Sequence, residues 1–347
     1  MRLLRTIETR RLNPKLVRSP SFENETQRAA HRAVLEAMKN GQLEQVEVDC
    51  PVCQSASYEH VASIDRQSLP VVTVRCLGCP TLYSRRRFTE EALTLFYSSF
   101  YRNLYSGTSR PSQPWFNSQV ESGRKILSTL ISAEAIPSRL DGYRVLEVGS
   151  GAGGVLVPFL ESGASVLGID FDHEYMEFGR SQGVDLRTGG ISNLQSFGSQ
   201  DIVILKDVLE HLPDPVASLK LVLSVLSMRG IVYIQVPGLQ TLRFLGYRDD
   251  LLRYLQVAHL CHYTQESLEY VCRLAGFEVT HSQRRGVVVC VKGSDGGAAP
   301  LMGHPSPEHA KVALEKIYST RAKSAVRFAV SSRIPARSKT LLRSLLR

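Results

Sequence analysis

Two cysteine pairs and one glycine-rich turn carry the chemistry legible in this chain. Cys50-Pro-Val-Cys53 and Cys76-Leu-Gly-Cys79 are C-x-x-C knuckles with 22 residues between them, close to the spacing of four-thiolate zinc ribbons. Zinc on Cys50, Cys53, Cys76 and Cys79 would staple a segment too small to hold itself together by apolar burial. Four sulfur ligands close the coordination sphere, so the expected role is structural. Disulfides are the alternative, but they belong to oxidising compartments. Cys261, Cys272 and Cys290 stand alone in apolar surroundings and read as small buried hydrophobes.

The second stretch is Tyr143-Arg-Val-Leu-Glu-Val-Gly-Ser-Gly-Ala-Gly-Gly154. Val145, Leu146 and Val148 make a short buried-strand run, and Val155-Leu-Val-Pro-Phe-Leu160 reads as the start of a helix. Between them Gly149, Gly151 and Gly153 allow a sharp turn and close approach to a ligand. A helix start offers free N–H groups and a positive dipole end, so the turn is suited to a nucleoside. Gly149, Gly151 and Gly154 also satisfy the dinucleotide pattern G-x-G-x-x-G, so spacing alone leaves the nucleotide open.

The elements around these stretches give the fold class. Strands are expected near 143–148, 165–170, 184–187, 201–206 and 230–236, and helices near 118–133, 154–162, 172–182 and 214–228. That alternation means βαβ units and a doubly wound, mostly parallel sheet. A helix from Thr264 to Ala275 follows, then Phe277–Ser282 and Gly286–Val291, joined only by Gln283-Arg-Arg285. So short a link forces an antiparallel hairpin. The expectation is an α/β protein: a seven-stranded sheet ending in an antiparallel hairpin, preceded by a small zinc-binding module. A sheet finished this way suits a methyltransferase better than a dehydrogenase.

The chain of 347 residues divides into a basic, helical extension over 1–45, the zinc-ribbon-like module over 46–85, and an aromatic helix with linker over 86–117. The catalytic domain is expected over 118–293, with a flexible linker and basic tail over 294–347. The net charge of +9 sits at the ends: residues 1–20 carry +5 and 311–347 carry +9, which leaves the middle near −5. Nucleic acid is therefore not the expected partner. No apolar run is long enough to span a bilayer and no secretory leader is recognisable, so a cytoplasmic location is expected. The basic tail is either a solvated extension or a weak contact with an anionic membrane at its inner face. Oligomeric state has no signature.

From Gln119 to Lys292 the chain resembles the class I S-adenosylmethionine-dependent methyltransferases. The matching stretches are Leu146-Glu-Val-Gly-Ser-Gly-Ala-Gly153, Val166-Leu-Gly-Ile-Asp170 and Asp201-Ile-Val-Ile-Leu-Lys-Asp-Val-Leu-Glu-His-Leu-Pro-Asp-Pro215. The resemblance implies Glu147 beside the amino or sulfonium end of the cofactor, Gly149, Gly151 and Gly153 along its methionine part, and Asp170 on the ribose hydroxyls. Gly190, Ile191 and Ser192 are the candidates at the adenine, which implies backbone and apolar contacts such as that of Ile191, and Asp207 is counted with the cofactor-binding residues.

With the cysteine module included, residues 46–292 resemble a bacterial group that often modifies sugars, including C-methyltransferases of nucleotide-linked keto-sugars. Those use a His-Glu-His segment with a nearby Tyr. Here the stretch reads Gln256-Val-Ala-His-Leu-Cys-His-Tyr263, so His259 is kept, while Ala258 and Gln256 stand at the Glu and Tyr positions. O-methyl transfer to a sugar hydroxyl needs only one base. His259 is the first candidate, with His262 or Tyr263 as helper, and His211 is another. The expected acceptor is a small carbohydrate-like, nucleotide-linked or lipid-linked glycan. An RNA methyltransferase and a non-catalytic cofactor-binding scaffold are the competing readings.

Overall fold

The computed structural model of the protein describes residues 22–319, apart from 109, 243–246, 248–249, 284–285 and 294–305. Its larger sheet has seven strands: β5 (Arg144–Val148), β6 (Ser165–Asp170), β7 (Leu186–Thr188), β8 (Gln200–Lys206), β9 (Leu226–Gln235), β11 (Phe277–Gln283) and β12 (Val287–Lys292). The order is β11-β12-β9-β8-β5-β6-β7. The pairs from β7 to β9 are parallel, while β12 runs antiparallel to both β9 and β11. The expected α/β sheet with its closing hairpin is therefore present.

Alternation along the strands sends side chains to two cores. Val145, Ile202, Ile204, Tyr233 and Val289 face one layer, and Leu146, Val203, Leu205, Val232 and Cys290 face the other. The first layer is covered by α4 (Gln113–Ser132), α5 (Val157–Glu161) and α6 (His173–Ser181). The second is covered by α7 (Pro215–Val225) and α9 (Gln265–Leu274). Local chemistry starts these helices: Asp214 accepts from Ala217 N–H before Pro215, and Thr264 and Ser267 cap each other.

Several boundaries differ from expectation. Helix α4 begins at Gln113, capped by Ser112, because Pro114 fits a first helical turn. It therefore crosses the 117/118 boundary. The aromatic segment breaks at Phe100 into α2 (Glu90–Ser99) and α3 (Tyr101–Tyr105). The first helix among the described residues, α1 (Glu25–Lys39), buries Ala30, Val34 and Ala37 in one core with Phe88, Phe96 and Val257, so that part of the 1–45 extension is packed. Residues 1–21 lie outside the described set. Nor are residues 306–319 a flexible tail: 308–319 are helical, and Ala310, Leu314 and Ile317 pack on Val61, Leu82, Leu251 and Tyr254.

The cysteine segment does not close on itself. Strands β1 (Gln45–Glu47), β4 (Leu82–Phe88), β3 (Pro70–Cys76) and β2 (Tyr58–Ile64) lie in that order, and β10 (Cys261–His262), from the part of the chain that builds the larger sheet, pairs with β4. Cys50, Val52, Cys76, Cys79 and Tyr83 share a core with Leu205, Leu268 and Tyr263. The two parts are also latched by Asp65. Its fully buried carboxylate accepts from Gln67 N and Leu69 N at Oδ1 (2.8 and 2.9 Å) and from Val257 N at Oδ2 (3.0 Å). Asp65→Asn keeps the Oδ1 acceptor but sets an amide N–H₂ against Val257 N–H. We expect a loss of about 2 kcal/mol for that orphaned pair of donors, read as a lower urea midpoint; an unchanged midpoint would remove the latch.

Candidate active site and metal centre

The glycine turn is held from β6. Gly149 and Ser150 N–H donate to Ile169 O (2.8 and 3.1 Å), and Gly151 N–H donates to Asp170 Oδ2 at 2.7 Å. Gly149, Gly151 and Gly153 have φ of +68°, +56° and +72°, a region that side chains strain. A Cβ on Gly149 would stand 2.8 Å from Val208 Cγ2, and one on Gly151 3.1 Å from Trp115. Asp170 Oδ1 also accepts from Phe171 N and Asp172 N, both at 2.8 Å. This acid therefore ties the second strand to the first turn.

Glu147 is buried under the turn, and its Oε2 has no hydrogen-bond partner among the described residues. Burial pushes its carboxyl well above the usual range, with Lys206 opposing. Asp207 has φ +56°, donates its N–H to Gln235 O, and pairs with Lys206 Nζ. Burial works against the Lys206 charge, but Asp207 outweighs it and raises the pKa. Ile191 begins a short 3₁₀ turn (Ile191–Phe197) and packs on the second core. Phe171, unremarked in the sequence, is 67% exposed, and its ring lies against Gly190.

An arm from α3 and α4 covers the turn. Arg102 Nε donates to Asp172 Oδ2 (2.9 Å), and its guanidinium sits 3.9 Å from the Tyr175 ring centroid. Trp115 meets Tyr175 edge-on at 4.8 Å. Gln119 donates to Ser150 O and accepts from Gly154 N–H. These residues fit a nucleoside cofactor. The positive-φ cradle has room only for glycine, and an orphaned buried carboxylate lies where a cationic group would satisfy it.

Beyond β8 the chain makes a short turn (Leu209–His211) that brings His211 beside His259, with ring centroids 4.9 Å apart. His211 Nδ1 lies 2.9 Å from Ala258 O and 2.9 Å from Tyr97 Oη. A carbonyl only accepts, so Nδ1 carries the proton and Nε2 keeps its lone pair. His259 is buried, touches the Gln256 amide, and is held well below the ordinary imidazole pKa by burial, then by His211 and His262. Burial also lowers His211.

Tyr263 is not part of this group. It is fully buried on the other side of β10, in the core shared with the cysteines. Glu210 is the member that sequence reasoning missed. Its side chain is 2% exposed, and its carboxyl is raised well above the usual range by burial and by Asp207. Tyr97 and Tyr101 wall His211 edge-on.

His262, on the His259 side of β10, has both ring nitrogens unpartnered among the described residues, and burial lowers its pKa from 6.5 to about 3. A base depressed on folding stabilises above its unfolded pKa and loses that contribution as pH falls. Between pH 7.5 and 5 this residue should withdraw about 2 kcal/mol, roughly 1.5 units at 1.36 kcal/mol each. His262→Phe should flatten the fall by that amount; urea midpoints falling equally in both proteins would exclude it.

The four cysteine sulfurs lie within 4.8 Å of one another, with Cys50 Sγ to Cys79 Sγ at 3.6 Å and Cys53 Sγ to Cys76 Sγ at 3.5 Å. These are far beyond disulfide length and near the ~3.8 Å edge of a tetrahedron with ~2.3 Å zinc–sulfur bonds. Gly78 N–H donates to Cys76 Sγ at 3.2 Å, and crowding of the sulfurs splits the thiols, lowering Cys76 while Cys50 and Cys79 are raised. The donor set fits zinc.

A family model described as a methyltransferase domain matches residues 118–282. Curated relatives include ubiquinone biosynthesis O-methyltransferases. That of Xanthomonas oryzae pv. oryzae is 32% identical over 114 residues, covering 30% of this chain and 48% of the relative. That of Xanthomonas campestris pv. campestris is 34% identical over 103 residues, covering 27% and 43%. The chain thus spans about half the length of the curated relatives it matches. A solved magnesium protoporphyrin IX methyltransferase from Synechocystis PCC 6803 with bound SAH is similar at 19% identity and a TM-score of 0.39, covering 50% of this chain and 83% of that one. Residues 118–282, which hold the glycine turn and most of the seven-stranded sheet, are thus similar to a methyltransferase domain, and the four-cysteine segment lies outside the match.

Proposed function

We propose that the protein is an S-adenosylmethionine-dependent O-methyltransferase acting on a poorly acidic hydroxyl of a small carbohydrate-like, nucleotide-linked or lipid-linked acceptor, with zinc on the four cysteines as a structural staple. The observation that carries the acceptor is the group of Glu210, His211 and His259 beyond β8, with Glu210 and His259 buried and His211 half-buried, on the segment whose Val208 packs against Gly149. When bound, the cofactor supplies a methyl group on a sulfonium, already activated for in-line displacement.

The chain's own residues do the rest. Glu147 and Asp170 hold the amino and ribose ends, and Arg102 and Trp115 cover the turn and exclude water. His211 and His259, kept neutral by burial, offer lone pairs to the acceptor's proton. A phenol, with a pKa near 10, loses its proton with less help. An alcohol needs a base at hand, and these two imidazoles, free of charge, are the bases beside the turn.

The phenolic reading has its own support in the Tyr97 and Tyr101 rings on His211 and in the ubiquinone pathway of the named relatives. Methyl-labelled cofactor offered with nucleotide sugars, lipid-linked glycans and catechol-type phenols decides between them by mass analysis. Label in a sugar hydroxyl is the expected result, and label confined to phenols replaces the acceptor class. No helix among the described residues is long and apolar enough to cross a membrane. Residues 320–347, the basic end, lie outside that set. Attraction of that end to anionic lipid belongs to the proposal, and vesicle sedimentation at low and high salt tests it.

A further inference from the structure

We infer that Glu210, His211 and His259 form a divalent-cation site of nitrogen and oxygen ligands, separate from the cysteine cluster, whose loading slows methyl transfer. One ligand atom from each residue lies within 4.8 Å of the others. Glu210 Oε1 is 3.9 Å from His211 Nε2 and 4.0 Å from His259 Nε2. These gaps are too long for hydrogen bonds of about 2.7–3.2 Å. They approach the ~3.4 Å edge that two ligands make around four-coordinate zinc with bonds of ~2.0–2.1 Å. A few tenths of an ångström in each side chain seats the ion.

The surroundings favour a cation over three unrelated polar groups. Both Glu210 oxygens are buried without a hydrogen-bond partner among the described residues, unlike those of Asp65, which hold three N–H groups. His211 donates Nδ1–H to Ala258 O, which fixes its ring and leaves Nε2 free toward Glu210. Metal-bound histidines are held by this kind of outer bond. Two imidazoles and one carboxylate suit zinc, cobalt or iron in the divalent state. Three protein ligands leave a fourth position open, on the side of His211, whose side chain is 14% exposed against 3% for His259. Gln256, whose amide touches His259 Nε2, has to turn aside.

A cation held there occupies the lone pairs that would receive the acceptor's proton. The inhibition therefore rests on the methyl-transfer reading above, while the binding stands on geometry alone.

Co2+ titrated into the full chain separates the two centres. Sulfur ligands give a near-ultraviolet charge-transfer band, and a nitrogen–oxygen site gives visible d–d bands without one. We expect the sulfur-free bands in the unmodified protein. Glu210→Gln and His259→Ala should weaken them by more than about 100-fold, and Tyr97→Phe by the 10–100-fold of an outer partner. Gln256→Ala should bind at least as tightly. A missing sulfur-free signal, or one that survives both ligand substitutions, overturns the site. Turnover should fall in step with occupancy; a rate that rises or holds on loading overturns the inhibition and leaves the binding. Were no acceptor to turn over, the titration would still decide the site, so the two readings fail separately.

Discussion

With zinc on the cysteine cluster as proposed, its removal by chelation or by Cys50→Ser is expected to lower turnover about 10³-fold while cofactor affinity stays within about threefold. The asymmetry follows from what each part holds. Strand β4, between the two halves, pairs Tyr83 with Cys261 and Leu82 with His262. Ser84 N–H donates to Leu260 O and its hydroxyl to His259 O, and Leu260 N–H donates to Glu210 O at 2.7 Å. The cysteine knuckles lie at the ends of this same sheet, so their collapse releases the backbone that carries His259 and Glu210. Misplacing reacting groups by about 1 Å costs about 10²-fold, and loss of assisted proton removal adds at least tenfold. The glycine turn hangs instead on β5 and β6, through Ile169 O and Asp170, with no bond to the cysteine sheet among those described. Calorimetry with the cofactor and turnover on the same preparation check this. Parallel loss of both would mean that the sheets unfold together, and loss of neither would make the cluster ornamental to the reaction.

What was readable in the sequence was what lies close along the chain. The glycine turn, Asp170 and the cysteine knuckles each occupy a few consecutive residues, and periodicity marks the strands between them. The candidate base group is assembled across the fold. Glu210 reads as a solvated loop acid in Leu-Glu-His-Leu-Pro, and what buries it is the Leu255–Leu260 segment returning past it. The side on which Tyr263 falls depends on a two-residue strand whose alternation is too short to see. The docked helix at 308–319 had a legible apolar spacing in Ala310, Leu314 and Ile317, hidden by the basic run that follows. The cysteine segment looked separate because the strand that completes its sheet comes from about 180 residues later, a pairing that no local pattern encodes.

Asp170→Ala should weaken cofactor binding about 10²-fold, with turnover at saturating cofactor changed by no more than a few-fold. The carboxylate has about four acceptor positions, and three are taken by Gly151, Phe171 and Asp172 N–H. What remains can accept one charge-assisted bond from a ribose hydroxyl, worth about 1.5–3 kcal/mol. The substitution also frees Gly151 N–H, the link that sets the turn's curvature. Together these reach the 2.7 kcal/mol that 10²-fold requires. Turnover is spared because His211 and His259 depend on β10 and the 209–211 turn, neither of which Asp170 touches. Asp170→Asn gives the sharper test. It keeps one oxygen for the backbone but loses the charge, so its affinity should fall between the two. If Asp170→Asn binds cofactor as the unmodified protein does, the carboxylate serves only to lace the loop, and the ribose role passes elsewhere.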